Sequence, residues 1–244
     1  MEQATGVTMI VSVHIADIGV RSVRTVLSQC PRHGATPGLR YAETTLTGAI
    51  ASGLPKLHPG RAALIASWED DVALDRFLAE DPLARRMSGG WHVRLRPVRI
   101  SGAWSPMPVE TDPGTAMADE DGPVAVLTLG KLRLRRAVPF LRANSSASSR
   151  AAADPALLAS TALARPPRFV GTFSIWQSVS AMSRYAYGSA QPQHKAAVQE
   201  HRAAPFHHEA AFLRCHPYGA QGTLDGAEPI TTAAAAPPRP KLAG

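Results

Sequence analysis

The chain is 244 residues long, 45% hydrophobic and 18% charged, which fits a globular protein long enough to bury a core. No apolar run nears the ~20 residues of a membrane-spanning helix, so a helical membrane protein is excluded. The net charge of +7 is dispersed, with Arg94, Arg96 and Arg99 on one segment and Lys131 to Arg136 on another. No zinc-finger, RNA-recognition or helix-turn-helix pattern accompanies it, so nucleic acid is not an expected partner; an acidic protein or an anionic membrane surface suits such a charge better.

In chain order, "VTMIVSVHIADI" is a β-rich run and "GVRSVRTVLSQC" a short amphipathic helix stopped by Pro31. Strands follow in "GLRYAETTLTGAI" and "RAALIASWED", then a helix over "DDVALDRFLAEDPLARRM" that Asp70 or Asp71 is suited to cap. "WHVRLRPVRISGAW" alternates as a strand does. The order β-α-β-β-α-β is that of a ferredoxin-like unit. After a Pro/Gly/acid-rich linker over 105–122 the order recurs. "VAVLTLGKLRL" is a strand, "RAVPFLRANSSASS" a helix fraying into a Ser-rich loop, and "ALLASTALA" and "RFVGTFSIWQS" are strands. "VSAMSRYAYGS" and "QPQHKAAVQEHRAA" are helical, and "HHEAAFLRCHPYG" is the closing strand.

Trp68 and Trp176 stand at equivalent ends of the third strand of each unit, each followed by a helix start. The fold class is therefore α+β: two tandem ferredoxin-like units, 1–104 and 123–226, forming an internal pseudo-dimeric α/β barrel. The Ala/Pro-rich tail over 227–244 reads as disordered. Cys30 and Cys215 lie in unrelated contexts and the opening residues carry no basic start or cleavage site. Neither a disulfide framework nor an export signal is expected, and the setting reads as cytoplasmic. A fold of this kind says nothing by itself about chemistry.

Several separated segments, in order, resemble the spheroidene monooxygenase family: "GLRYAETTLTG", "AALIASWEDDVALDRFLAEDPLARR" and "WHVRLRPVRISGAW" in the first half, then "LLAST", "TFSIWQSVSAMSRYAY", "QHKAAVQEHR" and "HHEAAFLRCHPYGAQGTLDG" in the second. The resemblance spans nearly the whole chain. It implies a dimeric α/β barrel and a haem-dependent, oxygen-using enzyme that inserts a keto oxygen into an acyclic carotenoid, with electrons from a ferredoxin-type donor. An apolar polyene-like substrate implies in turn a peripheral contact with the inner membrane surface. "AWSPMP" and "RPP" at Arg165 to Pro167 depart from the family pattern, and such loops set the substrate. An apolar-ligand carrier and a cofactor-free barrel monooxygenase are the competing functions.

Haem-degrading monooxygenases of the same barrel superfamily place an axial histidine near the end of the helix after the Trp-bearing strand. The match here is His194, 18 positions after Trp176, just behind Pro192 in the first turn of its helix. The same count from Trp68 reaches Arg86, which cannot ligate iron. His194 is thus the candidate haem ligand, and a solvated helix-end histidine is the other reading. His201 lies about 7 × 1.5 Å further along the helix, too far to share a metal with it. Trp176, Met182, Tyr185, Tyr187 and Phe212 are candidate pocket walls, and at helical spacing ordinary core serves equally well. Tyr185 and Tyr187 point about 200° apart, so one of them at most meets a cofactor. Arg214 is the candidate for a haem propionate, because a guanidinium fork fits a carboxylate, and an ordinary surface arginine is an equal reading. His207 with Glu209 is a weaker iron pair of the two-His-one-carboxylate kind, and the rim of the barrel is the plainer reading.

Overall fold

The computed structural model describes residues 9–50, 56–107, 122–140, 151, 153–187 and 206–230. The first half runs β1 (Ile10–Asp17), α1 (Val20–Ser28), β2 (Leu39–Ala49), β3 (Lys56–Trp68), α2 (Asp71–Glu80), α3 (Pro82–Met87) and β4 (Trp91–Ala103). The second runs β5 (Val124–Leu132), β6 (Leu157–Arg165), β7 (Phe169–Trp176), α4 (Val179–Tyr187) and β8 (His207–Gln221). A 3-10 turn, Leu134–Arg136, and helical residues 137–140 follow β5, as the sequence pattern anticipated.

All eight strands close into one antiparallel barrel in the order β1-β3-β2-β6-β7-β5-β8-β4. Each half contributes the ferredoxin-like order, β4-β1-β3-β2 and β8-β5-β7-β6. The halves join at a short seam, β2–β6, and a long one, where β4 pairs with β8 from His92↔Gln221 to Ala103↔Ala210. Edge strands of one half are covered by the other, which leaves no open edge in the barrel.

Alternation sends one set of side chains inward. Val13, Ile65, Trp91, Leu127, Phe173 and Leu213 fill the barrel with others of the same cluster, so its interior is packed core rather than a channel. Met107, read from sequence as part of the linker, is buried against that core beside Trp104, the last residue of the first half. At the chain's other end Glu228 accepts a hydrogen bond from Trp91 Nε1 at 3.3 Å and Ile230 packs on the core. Structure therefore continues four residues into the segment assigned to the tail.

Two boundaries differ from the sequence reading. The helix expected over Asp70 to Met87 is two helices, because Pro82 cannot continue α2 and holds the residue before it extended. Asp81 takes φ −77° and ψ 134°, and its carboxylate accepts from Leu83 N at 2.7 Å to start α3. β3 begins at Lys56 rather than Arg61, pairing with the far end of β2.

On the outer face of the first half-barrel, α2 and α3 bury Leu74, Phe77, Leu83 and Met87 against Leu64, Ala66 and Trp68. His14 is sealed into this layer at 3% exposure. Its Nε2 lies 3.0 Å from Ser12 Oγ, which also accepts from Trp68 Nε1 at 2.9 Å, and its ring stacks on His92. Burial, then the neighbouring His92 and Arg94, hold its pKa down at about 3 against an ordinary 6.5. An unfolded chain therefore binds a proton that the folded one refuses, and stability is lost as pH falls from about 6.5 toward 3. The loss is expected to approach ~4 kcal/mol at the acid end. Urea unfolding between about pH 7 and pH 4 should show His14→Gln with a flatter profile than the parent; parallel profiles would contradict the assignment.

Candidate functional site

The two halves share the same strand register around their tryptophans. Trp68 lies opposite Ile10 and Leu39, and Trp176 opposite Val124 and Leu157. Nine residues after each tryptophan comes an aromatic ring packed on it at 4.9 Å, Phe77 in one half and Tyr185 in the other. The helices start alike, with Asp70 accepting from Ala73 N and Ser178 from Ala181 N.

The layer between helix and sheet is filled in one half and open in the other. The positions of His14, His92, Leu64 and Ala66 are taken in the second half by Thr128, Phe212, Thr172 and Ser174. Thr128 and Thr172 are smaller than the His14 and Leu64 they replace, and a cavity of about 230 Å³ lies beneath α4. Its wall is Trp176, Met182 and Tyr185, with the two rings stacked at 29°, and Phe212 lies on its β8 side. Ser160, Thr128, Thr172 and Ser174 put hydroxyls along the floor, and Ser174 Oγ fixes the indole by accepting from Trp176 Nε1 at 3.0 Å. Phe212 is 53% exposed.

Of the residues singled out from sequence, Trp176, Met182, Tyr185 and Phe212 meet at this cavity. Arg214 projects from the same face of β8, directly across from Val126 of the cavity lining. His194, His201 and the side chain of Tyr187 lie outside the described residues. Arg86 is exposed on α3. Sequence reading missed Thr128, Ser160, Thr172 and Ser174; aligning the two halves exposes Thr128 and Thr172, where a hydroxyl stands in place of the bulkier His14 and Leu64.

A second cavity, about 310 Å³, opens at the β2–β6 end of the barrel between Trp104, Phe169, Arg165, Arg168, Lys131, Glu43 and Glu209. It is larger, but its charges are largely spent on neighbours: Arg165 pairs with Glu43, Arg168 meets His208, and Glu209 accepts from Ser105 N. His207 and Glu209 gain no further ligand, since no group of three metal-binding side chains occurs among the described residues. Cys215 points into the barrel, where burial pushes its thiol up to about 12, and a thiol held protonated neither ligates nor attacks. No helix among the described residues is long and apolar enough to cross a membrane.

A closed α+β barrel of two ferredoxin-like halves, with an aromatic-walled cavity under the second half's helix among the described residues, places the chain among the α/β-barrel proteins. No protein-family model matches the chain. It is 30% identical over 195 residues to a spheroidene monooxygenase of Rubrivivax gelatinosus, covering 78% of this chain and 73% of that protein. It is 26% identical over 182 residues to a spheroidene monooxygenase of Cereibacter sphaeroides, covering 72% of this chain but only 55% of that protein. The chain belongs to the spheroidene monooxygenase family, and is an oxidoreductase. Among solved structures, an aldoxime dehydratase matches with a TM-score of 0.49 at 11% identity, covering 88% of this chain and 83% of that one. A haem-degrading enzyme from Listeria monocytogenes matches with a TM-score of 0.28 at 15% identity, covering 84% and 98%. At such scores a likeness carries nothing about ligand or reaction.

Proposed function

We propose that the protein is a haem-dependent monooxygenase acting on a long apolar substrate of the acyclic carotenoid kind, with its haem in the cavity beneath α4. The observation that supports this most is the one-sided cavity in a chain of this family: a stacked aromatic wall beside an apolar slot, where the other half is solid. The chemistry of the residues present suits part of a flat macrocycle, the described cavity of about 230 Å³ being smaller than an ordinary ligand pocket of ~300 Å³ or more. Trp176 and Tyr185 offer it a planar surface, Met182 and Phe212 exclude water, and Arg214 stands beside the slot for an acid group. His194 is the proposed axial ligand. Bound haem would supply the activation of oxygen.

The chain's own part is positional. The Ser174 hydroxyl holds the Trp176 indole in place, and the floor hydroxyls of Thr128, Ser160 and Thr172 give hydrogen-bonding groups to an otherwise apolar site. Tyr187 is proposed as a further polar group at the site. Electrons are proposed to come from a ferredoxin-type donor. The test is turnover of an acyclic carotenoid with such a donor under ¹⁸O₂. Labelled keto product supports the reading; bound haem without labelled product contradicts it in favour of a carrier, and turnover without haem favours cofactor-free chemistry.

A polyene substrate dissolves in membrane, so the protein is proposed to sit peripherally on anionic lipid, helped by its charge of +7. Juxtaposed cations contribute about 1 kcal/mol each near such a surface and are screened by salt. Co-sedimentation with anionic vesicles is expected at low ionic strength and should fall as salt rises; no binding at low salt would rule it out.

A further inference from the structure

Arg94 on β4 and Arg214 on β8 are the same position of the two halves, facing Ser12 on β1 and Val126 on β5 respectively. In the first half the guanidinium is fully engaged by α2: one terminal nitrogen donates to Asp71 at 2.7 Å and the other to Asp75. Those acids stand three and seven residues after Trp68. Three and seven residues after Trp176 stand Val179 and Ser183. The second half has kept the arginine and lost both of its carboxylates.

It has also gained a second cation. Directly opposite Arg214, across the long seam, is Arg99 of the first half. Strict alternation along β4 would send Arg99 inward with Trp91, Val93 and Leu95. A register shift between Pro97 and Arg99 turns it outward instead, at a proline that has no N–H to give the ladder. Like charges directly opposite on neighbouring strands repel. Neither guanidinium has a hydrogen-bond or ion-pair partner among the described residues. Val126 and Phe212, the neighbours of Arg214 across β5 and along β8, both line the cavity.

We infer that Arg99 and Arg214 form a two-arginine clamp for the carboxylates of the ligand in this cavity. Ligand acids take the place that Asp71 and Asp75 fill in the first half. The ligand is thus a flat apolar body with two acid groups, the chemistry of a porphyrin dicarboxylate, and its site needs both halves of the barrel. This rests on the haem reading and extends it to the orientation of the ligand: its acid edge faces the β4–β8 seam.

The test titrates the full chain with haem and with haem dimethyl ester, following the Soret band. Haem is expected to bind at least ~10-fold more tightly than the uncharged ester, since hydrogen bonds to charged groups carry that much. Arg99→Gln and Arg214→Gln should each remove most of that preference and leave ester affinity unchanged. Ser183→Asp, which restores one of the first half's acids, should weaken haem in the same way. Without ligand, Arg99→Gln should melt no lower than the parent, because it relieves a repulsion. Haem bound by both Gln variants with an unchanged preference would overturn the clamp and leave the haem reading standing. A fall in Tm of several degrees for ligand-free Arg99→Gln would make the arginine structural and overturn it too. Failure of the parent to bind either porphyrin would overturn both.

Discussion

Trp68→Ala and Trp176→Ala are expected to fail in opposite ways, although they remove the same side chain from equivalent positions. Trp68 is fully buried, packed on Phe77 and hydrogen-bonded to Ser12. Its truncation leaves a cavity inside a closed layer and the Ser12–His14 pair without its donor, so a loss of about 3–5 kcal/mol is expected. That is a large share of the stability of an ordinary domain. Trp176 borders space that is already open, and its layer is a smaller cluster of Val124, Ala156 and Ala181 with partly buried neighbours. Its loss should cost about 2 kcal/mol, at or below the low end for such truncations, but weaken the cavity ligand at least ~10-fold by removing the aromatic surface. Urea unfolding and ligand titration of both variants check this. Equal stability losses, or a ligand affinity that falls with Trp68 and not with Trp176, would contradict the asymmetry.

His194→Ala is the second large effect. If the imidazole is the single axial ligand, its removal abolishes the Soret band or turns it into a weakly bound form. The fold should survive, because the sequence pattern, with Pro192 just ahead, reads His194 as an early-helix position, where a substitution costs little packing. His207→Ala and His208→Ala should retain haem: His207 lies against Gly130 and Phe140 at the end of the barrel, and His208 meets Arg168 on the surface. Absorption spectra of the three variants, with circular dichroism to verify folding, decide the matter. An unchanged spectrum in His194→Ala would place the ligand elsewhere.

Much of the fold was legible because alternation and two tryptophans mark the same strand twice. Both third strands end on Trp with a capping residue two positions on, and that alone sets the duplication. The break at Pro82 was legible too, and was overridden by the apolar spacing that continues through Leu83, Ala84 and Met87. The site was harder to read. Trp176, Met182, Tyr185 and Phe212 are large enough to draw attention, whereas the space beneath α4 goes with Thr128 and Thr172, which are smaller than the His14 and Leu64 at the same positions of the other half. Emptiness has no residue of its own in a sequence. Arg99 was hidden for a different reason: a bulge reverses the face of every residue after it, and nothing before Pro97 announces the shift.

On this reading one half-barrel holds a ligand and the other is core. Titrating the purified chain with haem and reading the equivalence point of the Soret band tests it most directly. The account predicts one haem per chain, lost on His194→Ala; a stoichiometry of two, or no saturable binding at all, would contradict it.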